Sequence, residues 1–372
     1  MKLAWRNLNH DRLRFSVTVI GIVFAMFLMV FQGSLLAGFI KAASRVIDAA
    51  DAEIWIVARG VPCFEYPALL PDRFRDLAQG VSGVAAVSRV VAGATSWQAP
   101  SGGRQLIVII GAEANAGRSF PLPRLHAQME TLLPEAVLID RSNATALEAV
   151  ATPIEVEINR RRARVEQIVE GFGSFLGSPY VFTAYPDARN YLKLGGEETM
   201  FLLVRVTPGY QVEAVRRELQ SRLPEADVWT REAFASRARA FWLNQTGSGG
   251  AIMLAGLLGF LVGLVIVSQT IYSTTMDNLE EFATLKAMGA SRRYVQGVVL
   301  TQAMASGAIG SVVGLAVTFP LLKLARQSIA WIHTPWWLPV GMILVSLTMC
   351  GLASVISIRK AVSVEPGRVF RA

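Results

Sequence analysis

The chain has 372 residues, with 52% in the apolar set and 17% charged; soluble domains carry roughly 25% charged residues, so a wholly soluble protein is excluded. Two cysteines exclude a disulfide framework. The net charge of +8 resembles a nucleic-acid signal until its placement along the chain is read.

Residues 1–14 come first, with Leu3, Trp5 and Leu8 alternating with polar groups. That pattern suits a short amphipathic helix lying at a membrane surface. Four stretches without Asp, Glu, Lys or Arg follow: 15–40 (26 residues), 240–276 (37), 294–322 (29) and 327–358 (32). A helix crosses a bilayer with about 20 apolar residues. The predicted spans are therefore 15–40, 247–276, 296–322 and 338–358. The first is longer than the roughly 7–15 apolar residues of a signal peptide, and no clear A-x-A site follows it. It reads as a retained anchor.

The charge fixes the direction of crossing. Residues 1–14, 276–296 and 359–372 together hold 11 basic and 5 acidic side chains, and Lys323 and Arg326 add 2 basic. The 41–240 segment is neutral, with 23 of each sign. Basic segments stay cytoplasmic. Both termini and loop 277–295 are therefore expected inside, and 41–240 outside. The outer turn at 323–337 carries Trp331, Trp336 and Trp337, as in an interfacial aromatic belt. With the excess charge accounted for at the bilayer, no nucleic acid is expected as a partner.

Segment 41–240 is long enough for its own core and reads as an α+β domain. Strands are predicted at 53–57, 84–91 and 106–110. Ile154, Val156 and Ile158 share one strand face, opposite Glu155 and Glu157. Val165, Gln167 and Val169 continue after a turn at Asn159-Arg160-Arg161-Arg162, so a hairpin is expected there. The alternative for that tip is a basic site for anionic head groups or cargo. A strand at 200–206, an amphipathic helix at 212–223 and a strand at 226–229 form a β-α-β unit. Residues 100–195 are strand-rich and are expected as an inserted lobe, and 230–241 as a helix leading to the second span.

No Gly is followed by Lys anywhere, so the chain has no P-loop. His10, His126 and His333, like Cys63 and Cys350, are scattered; no metal cluster, catalytic constellation or cofactor is expected in the chain. The spans hold no ionisable groups apart from His333 near an interface, which argues against ion-coupled carriage. Gly259 and Gly263, then Ser306, Gly310 and Gly314, stand at the spacing that lets helices approach closely. Two uses fit that spacing, packing within the chain or a homodimer seam.

Loop 277–295 places Leu279, Phe282 and Leu285 at helical spacing beside Glu280, Glu281 and Lys286. Gly289 suits a helix C-cap, and Ser291 suits the N-cap of the next helix. Docking to a cytoplasmic partner and a plain connector are both compatible with this composition. The run EFATLKAMGAS at 281–291, followed by Arg292, resembles the E-[I/F]-x-x-L-[K/R]-A-x-G-A-[S/T] segment of MacB/FtsX-type (type VII) ABC transporter permeases. Leu3-Ala4-Trp5-Arg6-Asn7-Leu8, Gly21, Arg359 and Glu365-Pro366 are similar to further family positions.

The resemblance implies a porter-like outer domain, one span before it and three after. It implies a homodimer working with two cytoplasmic ABC ATPase subunits, which hold the ATP and Mg. Motion would pass by mechanotransmission to cargo on the periplasmic side of a bacterial inner membrane. Glu281, Phe282, Leu285, Lys286, Gly289, Ala290, Ser291 and Arg292 would form the ATPase-coupling loop. DevC-like exporters, whose ATPase is a separate protein, are most similar; a periplasmic adaptor and an outer-membrane channel are further implied partners. An FtsX-like regulator of a cell-wall hydrolase and a lipoprotein-releasing permease are the alternatives. The cargo is not legible.

Overall fold

Arg12–Ala42 forms one 31-residue helix, α1. The computed structural model describes residues 12–113, 122–277, 284 and 288–363. They fall into two units, one from the chain ends (through Gly38 and from Gly250) and one over Phe39–Gly249.

The second unit begins with the short helix α2 (Arg45–Ala49). In order follow β1 (Ile54–Ala58), β2 (Leu70–Pro71), α3 (Arg73–Gln79), β3 (Val84–Gln98), β4 (Arg104–Ala112), α4 (His126–Glu130), β5 (Ala136–Asp140), β6 (Ile154–Ile158), β7 (Arg161–Val169) and β8 (Tyr180–Ala184). Then come α5 (Tyr185–Leu192), β9 (Glu198–Thr199), β10 (Phe201–Val206), α6 (Val212–Arg222), β11 (Ala226–Thr230) and α7 (Arg231–Asn244).

One sheet runs in the order β11-β1-β10-β3-β4-β8-β5-β7-β6. The β-α-β reading of β10, α6 and β11 holds in sequence, but β1 lies between the two strands, antiparallel to both. Alternation along β1 explains its layers. Ile54 and Ile56 face Phe74 and Ala78 of α3 and Val215 and Leu219 of α6. Trp55, on the other face, meets Phe201 at 5.7 Å and Phe234 of α7 at 5.5 Å.

Strand β3 serves two halves. Its first half pairs with β10, and its far half with β4. Its last residues also pair with β6, Trp97 opposite Ile158. Strands β3, β4, β8, β5, β7 and β6 thus close on themselves, around Trp97, Ile107, Ile109, Val137, Ile139, Ile158, Val165 and Val181. The strand-rich lobe expected at 100–195 therefore borrows a wall from residues before 100. Closure also leaves β3 without a free edge there. At the tip of β6 and β7, Asn159 and Arg160 have φ of 51° and 63°, the signature of a two-residue hairpin turn. The register puts Glu155 opposite Arg164 and Glu157 opposite Arg162.

Among the described residues, the other unit contains α1 and three further helices, α8 (Gly247–Asp277), α9 (Arg292–Ser328) and α10 (Trp337–Ser363). All four are long and apolar enough to cross a membrane. Helix α9 runs six residues past the expected end at 322, because Leu322, Ala325 and Ile329 continue its packed stripe on the bundle core. The outer turn expected at 323–337 is correspondingly shorter, lying between Ser328 and Trp337. Trp336 and Trp337 remain exposed there, where an interfacial belt places them. Buried hydroxyls bond back into their own helices, Ser34 to Val30 O and Thr318 to Gly314 O, so no backbone or hydroxyl demand is left to a polar path at these positions.

Candidate functional site

Asp277 ends α8 and Ser291 caps α9. Between them, Met288 N–H donates to Thr284 O at 3.0 Å. Gly289 then takes φ of 94°, a region closed to residues with a Cβ except at a cost. Ala290 is half-buried, and Ser291 Oγ accepts from Tyr294 N–H at 3.2 Å. This satisfies one of the free N–H groups at the start of a 37-residue helix. Met288 is 72% exposed, and among the described residues nothing lies within 4 Å of where a Gly289 side chain would begin. The Ser N-cap expectation is thus realised, and Gly289 takes the left-handed conformation that a C-cap uses; the helix it would end lies outside the described residues. Arg292 begins α9. Glu281, Phe282, Leu285 and Lys286 lie outside the described residues, as does the amphipathic segment over 1–11.

The small-residue stripes are occupied within the chain. A Cβ on Gly263 would stand 3.5 Å from Ala25 Cβ, and one on Gly259 3.1 Å from Gln32 Cγ. On α9, Gly310 lies against Ile22 and Gly314 against Met26. Ser306 is buried, and Ser311 Oγ donates to Ser346 Oγ at 3.1 Å. Gly21 likewise admits Thr270. Among the described residues, these glycines seat α1 against α8 and α9.

The outer domain holds two polar centres that no sequence pattern marked. In the first, Arg89 of β3 grips Glu113 with Nε and Nη2 at 3.0 and 2.8 Å, and Asp72 at 2.6 Å. Its guanidinium also stacks on Tyr185 at 4.8 Å. Burial pushes the Glu113 carboxyl up, but the hydrogen bonds and charge of Arg89, with the charge of Arg75, outweigh it and hold it below the usual carboxylate range. In the second, Glu65 accepts from Tyr180 Oη and from Trp242 Nε1, both at 3.2 Å. Burial raises the Glu65 carboxyl, against the lowering effect of those donors. Burial, then the Glu65 charge, pushes the Cys63 thiol up to about 12. The partners of Glu65 are 115 and 177 positions away, too far for local spacing to reveal. Among the described residues, no group of three His, Cys, Asp or Glu is placed to hold a metal ion.

Comparison with known proteins follows this geometry. Residues 15–222 match the family described as MacB-like periplasmic core domain, and residues 253–366 that described as FtsX-like permease C-terminal. An uncharacterised ABC transporter permease of Mycobacterium tuberculosis is 23% identical over 375 residues, spanning 99% of this chain and 98% of that one. Another, from Mycobacterium bovis, is 22% identical over 375 residues, spanning 99% and 97%. Among solved structures, the periplasmic region of MacB from Actinobacillus actinomycetemcomitans aligns with 13% identity and a TM-score of 0.37, over 54% of this chain and 96% of that one.

Proposed function

The chain belongs to the MacB/FtsX-type ABC transporter permeases, a membrane-spanning family with an extracytoplasmic domain, and from that membership we propose that it is the membrane subunit of an exporter worked by mechanotransmission. A separate cytoplasmic ABC ATPase binds ATP and Mg. Its closing movement enters through loop 277–295 and leaves through the outer domain, which moves cargo on the periplasmic side of the inner membrane. Both termini are cytoplasmic. Two copies of the chain act together, with an adaptor and an outer-membrane channel beyond them.

The observation that carries this reading is the turn at Gly289. Gly289 is left-handed there, and the Ser291 cap follows it and opens directly into the 37-residue helix α9, so force applied at the turn would enter α9. The predicted spans 15–40, 247–276, 296–322 and 338–358 hold no Asp, Glu, Lys or Arg, which agrees with transport that needs no continuous aqueous path. The test is co-purification of the full chain with its cognate ATPase, together with reporter fusions. Fusions after Arg14, Gly289 and Ala372 report cytoplasm, and one near Arg161 reports the outside. An inside signal at Arg161, or no ATPase association, contradicts the proposal.

A further inference from the structure

Trp242, near the end of α7, is held on three sides. Its indole N–H donates to Glu65. Its ring meets Phe175 edge-on at 5.0 Å, and Phe175 in turn meets Phe39, on the last turn of α1, at 5.3 Å. Its carbonyl accepts from Thr246 Oγ1 at 2.6 Å, and that oxygen accepts from Gly249 N–H at 3.3 Å. Gly249 lies so close to the Trp242 carbonyl and Leu243 that no side chain fits. Only Gln245 and Thr246 separate α7 from α8. One turn back on α7, Arg239 donates to Ser44 Oγ at 2.8 Å and lies 3.5 Å from Asp48.

Glu65 closes this arrangement onto the sheet. Its second carboxylate oxygen accepts from the hydroxyl of Tyr180, the buried first residue of β8. Its donors are neutral, so the carboxylate gives up water for hydrogen bonds alone. An apolar side chain fills such a site without that cost. What the carboxylate adds is direction, since it fixes where the indole and the phenol point.

We infer that Glu65 is the positioning residue of the coupling path, clasping Trp242 at the end of α7 to Tyr180 of the sheet, so that movement along α8 turns the outer domain as a body instead of bending the joint at Gln245. This rests on the exporter reading.

The test uses the full chain with its ATPase in nanodiscs, followed by hydrogen exchange without nucleotide and with vanadate-trapped ATP. In the parent, trapping changes exchange in both α7 and the sheet. In Glu65→Leu, Trp242→Phe and Tyr180→Phe, α7 amides exchange about tenfold faster. The trapping response then disappears from β8 while ATPase binding is unchanged. Tyr180→Phe keeps its ring and removes one donor from an otherwise filled core, whereas Trp242→Phe removes its donor together with the pyrrole part of the indole. Glu65→Gln restores the response, because its amide can accept from Trp242 and donate to the Tyr180 oxygen. The inference is overturned if the Leu and Phe variants transmit as the parent does, or if Gln fails as Leu does. A parent with no trapping response but with bound ATPase overturns the exporter reading itself, and the inference with it.

Discussion

Thr334, in the turn before the fourth span, donates a 2.9 Å hydrogen bond to Ser34 on the first span, 300 positions earlier. The Ser34 hydroxyl itself donates to Val30 O at 2.7 Å. Beside this pair, the backbone of the turn closes on Gly38, where a Cβ would stand 2.7 Å from His333 N and 3.1 Å from Ile332 Cα. Backbone cannot swing aside as a side-chain end can. Gly38→Ala is predicted to cost about 1–3 kcal/mol by overpacking, and Ser34→Ala about 0.5–1.5 kcal/mol. Thermal unfolding of the full chain in nanodiscs measures both.

This turn shows what the sequence could and could not reveal. Charge-free length marked four spans, and the tryptophans marked an interface, because those signals are local. Helix α9 continues through Lys323 and Arg326, which interrupt the apolar run, because Leu322, Ala325 and Ile329 keep packing on the bundle core. Gly289 and Ser291 were legible as caps because capping is decided within four residues. Glu65 and Arg89 were not, because their roles are fixed by partners that only the sheet topology brings near. The closing of β3 on β6 was hidden for the same reason: pairing between Trp97 and Ile158 leaves no mark in either strand's own alternation.

The glycine stripes give a paired prediction. A Cβ on Gly310 would stand 2.6 Å from Ile22 Cγ2, whereas among the described residues nothing lies within 4 Å of one on Gly256. Gly310→Val is expected to lose about 1–3 kcal/mol and lower the yield of monodisperse protein. Gly256→Ala, mid-helix and unobstructed, is expected to gain about 0.4–1 kcal/mol. Equal behaviour of the two variants in thermal unfolding would contradict the assigned helix contacts.

Acid should loosen the outer domain through Glu113. Its folded carboxyl titrates below the ordinary range of about 4.3. Its contribution is therefore complete above that range and is lost as pH falls through the depressed value. Arg89→Met removes the hydrogen bonds and charge that lower it, at a cost of about 1.5–3 kcal/mol near neutrality. The variant's acid limb should be flatter than the parent's. Unfolding followed from pH 7 downward decides this, and identical limbs would show that Arg89 does not hold Glu113.

Glu65 has the opposite sign. Its carboxyl is raised, so stability declines as pH rises from the ordinary carboxylate range toward the raised value. Glu65→Gln should abolish that decline and leave the domain at least as stable as the parent at neutral pH. A Gln variant whose stability still falls over that window would place the titration elsewhere.

The coupling loop is tested through its backbone and its charge. Gly289→Val places a β-branched residue at a φ of 94°, strained whatever the space, by more than the roughly 1–2 kcal/mol of an ordinary left-handed residue. Gly289→Ala is milder. On the proposed coupling role, Glu281→Lys would reverse a charge offered to the ATPase and Phe282→Asp would remove an apolar anchor. All three stronger variants should reach the membrane but bind the ATPase more weakly. Pull-down against the parent measures this, and full binding by all three would make the loop a connector only.

The most direct measurement is ATP hydrolysis in nanodiscs by the purified chain alone, by the ATPase alone and by the two together. The account predicts no hydrolysis by the chain, and a rate for the pair that differs from the ATPase alone and returns to it with Gly289→Val. Sustained hydrolysis by the chain alone, or a pair indistinguishable from the ATPase alone, would contradict the assignment of this chain as the coupled membrane subunit.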